Sequence, residues 1–135
     1  MEPAFVDAAG WIALFNRSDS LHTRAVAVRK TLYEKRTPLL TSEFVLMEVA
    51  DALSSPAIRV MTAELIHGLK REALLRIIPA STELFTEGLD LFGRRADKAW
   101  SLTDCTSFVL MTKERINVVF TSDHHFEQAG FRILL

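Results

Sequence analysis

Apolar residues fall into two kinds of pattern along this chain. Five short, mostly apolar runs, 4–6, 39–41, 75–79, 117–121 and 131–135, have the length and composition of buried strands. Between them apolar residues recur at three- and four-residue spacing, which predicts helices. The first helix runs through Trp11, Ile12, Leu14 and Phe15, with Asp7 as its N-cap. The second spans 22–36, where Ala25, Val26, Val28, Leu32 and Tyr33 are interleaved with Arg and Lys, and Pro38 stops it. Further helices are predicted over 42–53, with the Ser42 hydroxyl as cap, and over about 57–73, 81–94 and 101–113. A short helical turn follows Asp123.

Strands therefore alternate with one or two helices from end to end. No Asn-Gly or Asp-Gly pair joins two apolar runs, so nothing signals a hairpin. The expected fold class is α/β, a three-layer α/β/α arrangement on a parallel sheet. No repeat, low-complexity tract or linker divides residues 1–135, which read as a single domain.

Composition narrows the class. At 49% hydrophobic and 24% charged residues the chain is globular rather than disordered. No signal-like start and no run of membrane-spanning length are present, which predicts a cytoplasmic protein with no membrane partner. One cysteine, Cys105, excludes an internal disulfide and a Cys-rich zinc site, and its apolar helical setting predicts a buried side chain. Net charge is −1, but 16 Lys and Arg outnumber the acids once a four-acid site is set aside, which is compatible with a polyanionic substrate.

Four acids stand out. Asp7 closes the first strand-like run and Asp123 follows the fourth; Asp104 opens the helix over 101–113; Glu48 interrupts the apolar stretch from Phe44 to Ala50. In open parallel sheets functional groups gather beyond the carboxyl ends of the strands, so Asp7 and Asp123 should share one crevice. Carboxylates a few ångströms apart repel by about 4 kcal/mol per pair at an intermediate dielectric. Such a cluster must hold protons or cations, and hard oxygen donors favour Mg²⁺ or Mn²⁺.

Each acid also has a plainer use. Asp7 and Asp123 can serve as N-caps, and Asp104 stands three residues after Ser101 in capping-box spacing. Glu48 fits this explanation least, because Phe44, Val45 and Ala52 share its helical face, whereas Asp51 reads as solvated. His124 and His125, as adjacent residues at a helix start, are expected to point apart and not to form a metal pair. No Gly-rich phosphate loop or nucleophile elbow occurs. Lys70-Arg71, Arg94-Arg95 and Lys98 are the candidates for phosphate contacts against a background of solvated helix faces.

The order Asp7, Glu48, Asp104, Asp123, with its local words, resembles the PIN-domain family of metal-dependent ribonucleases, especially the VapC-type toxins. The words are Phe5-Val6-Asp7-Ala8-Ala9, Ser42-Glu43-Phe44-Val45-Leu46-Met47-Glu48-Val49, Trp100-Ser101-Leu102-Thr103-Asp104-Cys105 and Thr121-Ser122-Asp123-His124-His125-Phe126, with Gly130-Phe131 behind. They span nearly the whole chain, and Asp97 fits a further word of unassigned role. The resemblance implies a five-stranded parallel sheet in the order 3-2-1-4-5, a homodimer, a cognate antitoxin, and endonucleolytic cleavage of RNA. Asp7, Glu48, Asp104 and Asp123 carry over as metal-binding and catalytic acids. Thr103 and Ser122 carry over as supporting groups that contact substrate. The implied cofactor is Mg²⁺ or Mn²⁺.

Three other readings compete. An aspartate-nucleophile phosphatase would need a second aspartate two residues after Asp7, and Ala9 stands there. A PIN-like module that binds RNA or protein without cutting would tolerate loss of the acids, which are all intact. A housekeeping RNA-processing nuclease would have no antitoxin.

Overall fold

The computed structural model describes residues 2–135. Its elements run β1 (Ala4–Val6), α1 (Ala8–Phe15), α2 (His22–Glu34), β2 (Leu39–Ser42), α3 (Glu43–Ala52), α4 (Arg59–Leu69), β3 (Leu75–Ile78), α5 (Thr82–Arg94), α6 (Leu102–Lys113), β4 (Val118–Phe120), α7 (His125–Gln128) and β5 (Arg132–Ile133). The sheet has five strands in the order β3-β2-β1-β4-β5, and every neighbouring pair is parallel. This is the α/β fold that the sequence pattern predicts and the strand order that the resemblance implies.

Every residue of β1 and β4 is buried. Successive strand side chains point to opposite faces, so complete burial means helices cover both faces of the sheet centre. The core draws Phe5, Trp11, Val45, Val49, Phe108, Met111, Phe120 and Phe126 from strands and helices alike. Cys105 is fully buried, as its apolar setting predicts. Among the described residues, no helix is long and apolar enough to cross a membrane.

Two features bring α1 and β2 against the sheet centre. A Cβ on Gly10 would collide with the carbonyl oxygen and ring of Phe120, so only glycine lets α1 lie this close to β4. Thr41 Oγ1 donates to the Val6 carbonyl (2.8 Å) and accepts from Trp11 Nε1 (3.2 Å), tying β2 to the end of β1 and to the first helix. Asp7 therefore leaves β1 at a fixed height, directly beyond the register pair Val6 and Phe120.

Candidate metal centre

Asp7 follows the last residue of β1 and is 3% exposed. It occupies the N-cap position of α1, yet its side chain makes no capping bond. Its Oδ2 instead accepts a 3.1 Å hydrogen bond from Thr121 Oγ1, in the residue next to the end of β4. Burial pushes its carboxyl up to about 7; the charges of Asp104 and Glu48 add to that rise, and bonds to the Ala8 amide and Thr121 oppose it. A buried carboxylate raised this far, with two other acids near it, takes up either a proton or a cation at neutral pH.

Asp104 enters from the first turn of α6 and is also buried. It completes a capping box: Ser101 Oγ accepts from the Asp104 amide (3.0 Å), and Asp104 Oδ2 accepts from the Ser101 amide (3.1 Å). The same Oδ2 lies 3.0 Å from His125 Nδ1. The cap and the cluster are thus not alternatives at this residue, because one carboxylate serves both.

Asp123 sits between β4 and α7. Its amide donates to Thr121 Oγ1 (3.1 Å), and its Oδ1 accepts from the His125 amide (2.9 Å), so the turn is stitched on both sides of the carboxylate. Donor atoms of Asp104, Asp123 and His125 all lie within 4.8 Å of one another, close enough to share one ion.

Glu48 approaches from α3, whose start is fixed by Ser42 Oγ accepting from the Val45 amide (3.2 Å). Val45, Leu46 and Val49 face the core, but Glu48 itself is exposed, at the margin of the apolar face and not within it. Its carboxyl is still held above the ordinary glutamate value, first by partial desolvation and then by Asp104; the Thr103 hydroxyl opposes this, and Asp123 and Asp51 add to it. Asp51 is exposed, in keeping with its reading as solvated.

The structure therefore gathers Asp7, Glu48, Asp104 and Asp123 in one electrostatic neighbourhood. Thr103 lies beside them, whereas Ser122 is exposed and Thr121, one residue earlier, takes the inner position. His124 takes no part in the cluster, so the two histidines form no metal pair, whereas the His125 ring lies against both aspartates, its amide held by Asp123. The donor set is mainly carboxylate oxygen, which fits a hard divalent cation. A separate apolar cavity of about 180 Å³, lined by Trp11, Leu32, Leu39, Leu69, Leu75 and Phe120, takes in none of the four acids.

Of the basic candidates, Arg95 is already engaged. It forks onto Asp97 (3.0 and 3.1 Å) and lies 4.8 Å above the Trp100 ring. That gives Asp97 a structural task, pinning Arg95 over Trp100, and the guanidinium in turn lowers the Asp97 carboxyl below its ordinary value. Lys70, Arg71 and Arg94 are exposed.

A five-stranded parallel sheet in this order, with acids gathered at the strands' carboxyl ends, marks an α/β fold class to which comparison with known proteins gives a name. The PIN domain model matches residues 4–132, and the chain belongs to that family. It is 28% identical over 128 residues, 94% of each chain, to the 23S rRNA-specific endonuclease VapC20 of Mycobacterium tuberculosis. The crystal structure of that Sarcin-Ricin loop cleaving toxin superposes with a TM-score of 0.81 at 27% identity, covering 95% of both chains. DNA-bound VapBC from Salmonella typhimurium shares the fold at a TM-score of 0.70 and 14% identity, covering 98% of this chain and 97% of that one.

Proposed function

We propose that this chain is a metal-dependent endoribonuclease acting as the toxin of a toxin–antitoxin pair. The observation that carries the proposal is Asp7, a buried carboxylate raised to about 7 that faces Asp104 and Glu48 at the carboxyl ends of the central strands. Family membership and the relative named as a 23S rRNA-specific endonuclease support the same reading. A structured ribosomal RNA loop is the first substrate to test, and an RNA substrate implies action in the cytoplasm.

Asp7, Asp104 and Asp123, with Glu48 at the margin, would hold one or two Mg²⁺ or Mn²⁺ ions. When bound, such an ion lowers the pKa of water and neutralises charge on the phosphoryl and leaving oxygens. The protein's part is to hold the carboxylates still. Thr121 fixes the rotamer of Asp7, Ser101 that of Asp104, and the His125 amide that of Asp123. Glu48, exposed and raised above its ordinary value, is suited to take the proton of a water attacking in line with the scissile phosphodiester. Thr103 beside it and Ser122 at the exposed rim would contact the RNA backbone. Phosphate recognition by the surface Lys and Arg would be salt-sensitive.

The test is direct. Purified protein should cut 23S rRNA with Mg²⁺ or Mn²⁺, lose activity in EDTA, and lose it with Asp7→Asn. Cleavage that survives chelation unchanged would refute the proposal. A small neighbouring frame encoding a DNA-binding protein that binds this chain would establish the antitoxin.

A further inference from the structure

The His125 ring takes no part in the proposed reaction above, although its amide orients Asp123. His125 opens α7, and its Nδ1 lies 3.0 Å from Asp104 Oδ2 and 3.5 Å from Asp123 Oδ1. Two adjacent donors on an octahedral ion with bonds of about 2.1 Å lie about 3.0 Å apart, so these are spacings that one ion can bridge with small adjustment. The ring is held in place from behind. Its amide is bonded to Asp123 Oδ1 at 2.9 Å, and the next residue, Phe126, is fully buried edge-on against Phe108 at 4.9 Å. It is open in front, since the His125 side chain is 24% exposed. His124, the preceding residue, is exposed, and its ring is centred 5.0 Å from that of His125.

We propose that His125 is a metal-binding donor beside Asp104 and Asp123, and that its nitrogen makes the centre favour Mn²⁺ over Mg²⁺. The inference rests on the metal-site reading above and specifies its ion. Mg²⁺ holds near-ideal octahedral oxygen geometry and gives up water reluctantly; Mn²⁺ shares the preference for oxygen but, as a transition metal, takes one imidazole nitrogen among carboxylates at less cost. A ring placed only to orient Asp104 would keep its proton on Nδ1 and stay a hydrogen-bond donor; a ligand turns a bare Nδ1 to the ion and keeps the proton on the solvent-facing nitrogen.

The experiment reads the metal, not the RNA. Mn²⁺ is titrated into the full chain, free Mn²⁺ is followed by electron paramagnetic resonance, and pulsed measurements look for coupling to a directly bound ¹⁴N nucleus. Wild type and His124→Ala should show the nitrogen coupling. His125→Ala should lose it, with Mn²⁺ affinity falling by at least about tenfold and Mg²⁺ affinity, read by competition, changing much less. If the alanine variant does not fold, His125→Gln, which offers oxygen in place of nitrogen, should keep Mg²⁺ binding and lose the coupling. Mn²⁺ bound to wild type with no nitrogen coupling would overturn the role of His125 alone. No Mn²⁺ binding at all would overturn the metal-site reading with it.

Discussion

Thr121 Oγ1 donates to Asp7 Oδ2 and accepts from the Asp123 amide, both at 3.1 Å, so one buried hydroxyl joins two of the four acids across strands β1 and β4. The bond favours the charged form of Asp7. Thr121→Val keeps the shape and removes the hydroxyl, leaving a buried carboxylate with one donor fewer. The expected cost is about 1–3 kcal/mol in urea unfolding, with the Asp7 pKa moving further up by NMR titration. Thr121→Ser should restore both, and a valine variant with unchanged Asp7 titration would show that the bond does not govern that carboxylate.

Asp7 also fixes how stability depends on pH when metal is chelated. Its folded pKa, about 7, lies above the ordinary 3.8. A carboxyl raised in the folded state destabilises it fully above the folded pKa, and that penalty fades as pH falls toward the unfolded value. Metal-free protein should therefore gain stability between about pH 8 and pH 5, by an amount on the order of 3 kcal/mol at most. Glu48, shifted in the same direction, adds to the trend. Urea titrations in EDTA across this range check it, and Asp7→Asn should flatten most of the slope.

Asp104 carries both a cap and a cluster charge, and the two respond differently to substitution. Asparagine retains an oxygen that can accept from the Ser101 amide, so Asp104→Asn spares much of the capping box and removes the repulsion with Asp7 and Glu48. In EDTA at pH 8 the variant should melt at or above wild type. With Mg²⁺ the ranking should reverse, because the ion stabilises only the chain that binds it. A variant that melts lower in EDTA, by up to about 1 kcal/mol, and shifts equally with Mg²⁺ would leave Asp104 a cap alone.

Helices α2, α6 and α7 end in the same way, with a left-handed residue after the last turn: Arg36 (φ 53°), Arg115 (φ 56°) and Gly130 (φ 97°). In each the following amide bonds back to the third-last helical carbonyl, Thr37 to Leu32, Ile116 to Met111 and Phe131 to Phe126. Only Gly130 adopts this backbone without steric cost. Gly130→Ala should lose about 1 kcal/mol, and Arg115→Gly, at an exposed position, should be neutral or gain a few tenths. Thermal melts of the pair should differ in that direction.

Much of the architecture was legible because strand and helix periods differ and no segment mixes them. Strand order was legible only through the family words, since periodicity does not say which strands are neighbours. Asp7, Asp104 and Asp123 stand out by their places at element ends and Glu48 by breaking an apolar run, and the capping box is readable from the Ser101–Asp104 spacing. What stayed hidden needed three-dimensional register. Thr121 shares a strand face with Val119 and stands beside Asp7 only once Val6 is paired with Phe120. His124 and His125 form no metal pair, as their adjacency implies, but the approach of the His125 ring to Asp104 and Asp123 appears only once the Asp123 carboxylate holds its amide. Glu48 was read as enclosed from its neighbours on a helical wheel, and the wheel does not show where the buried face ends.

The same limit applies to the expected homodimer. The helix over 57–73 carries Ile58, Val60, Met61, Leu65, Ile66 and Leu69, more apolar residues than one face of a surface helix needs, which makes it a first candidate for the interface. In the structure Leu69 is buried and Ile58 and Ile66 pack against the core, so Val60 and Met61 are its large hydrophobics left well exposed. A second apolar surface lies on α5, where Phe85, Leu89 and Phe92 are 43%, 45% and 46% exposed at four- and three-residue spacing, forming one stripe. Aromatic side chains left to water in a row are the kind that an interface covers. Light scattering at micromolar concentration should give a dimer, and Leu89→Glu should weaken it more than Val60→Glu, because Leu89 is central in its stripe and Val60 sits near the end of its helix. A wild-type monomer would refute the dimer; a dimer broken by Val60→Glu and untouched by Leu89→Glu would return the interface to α4.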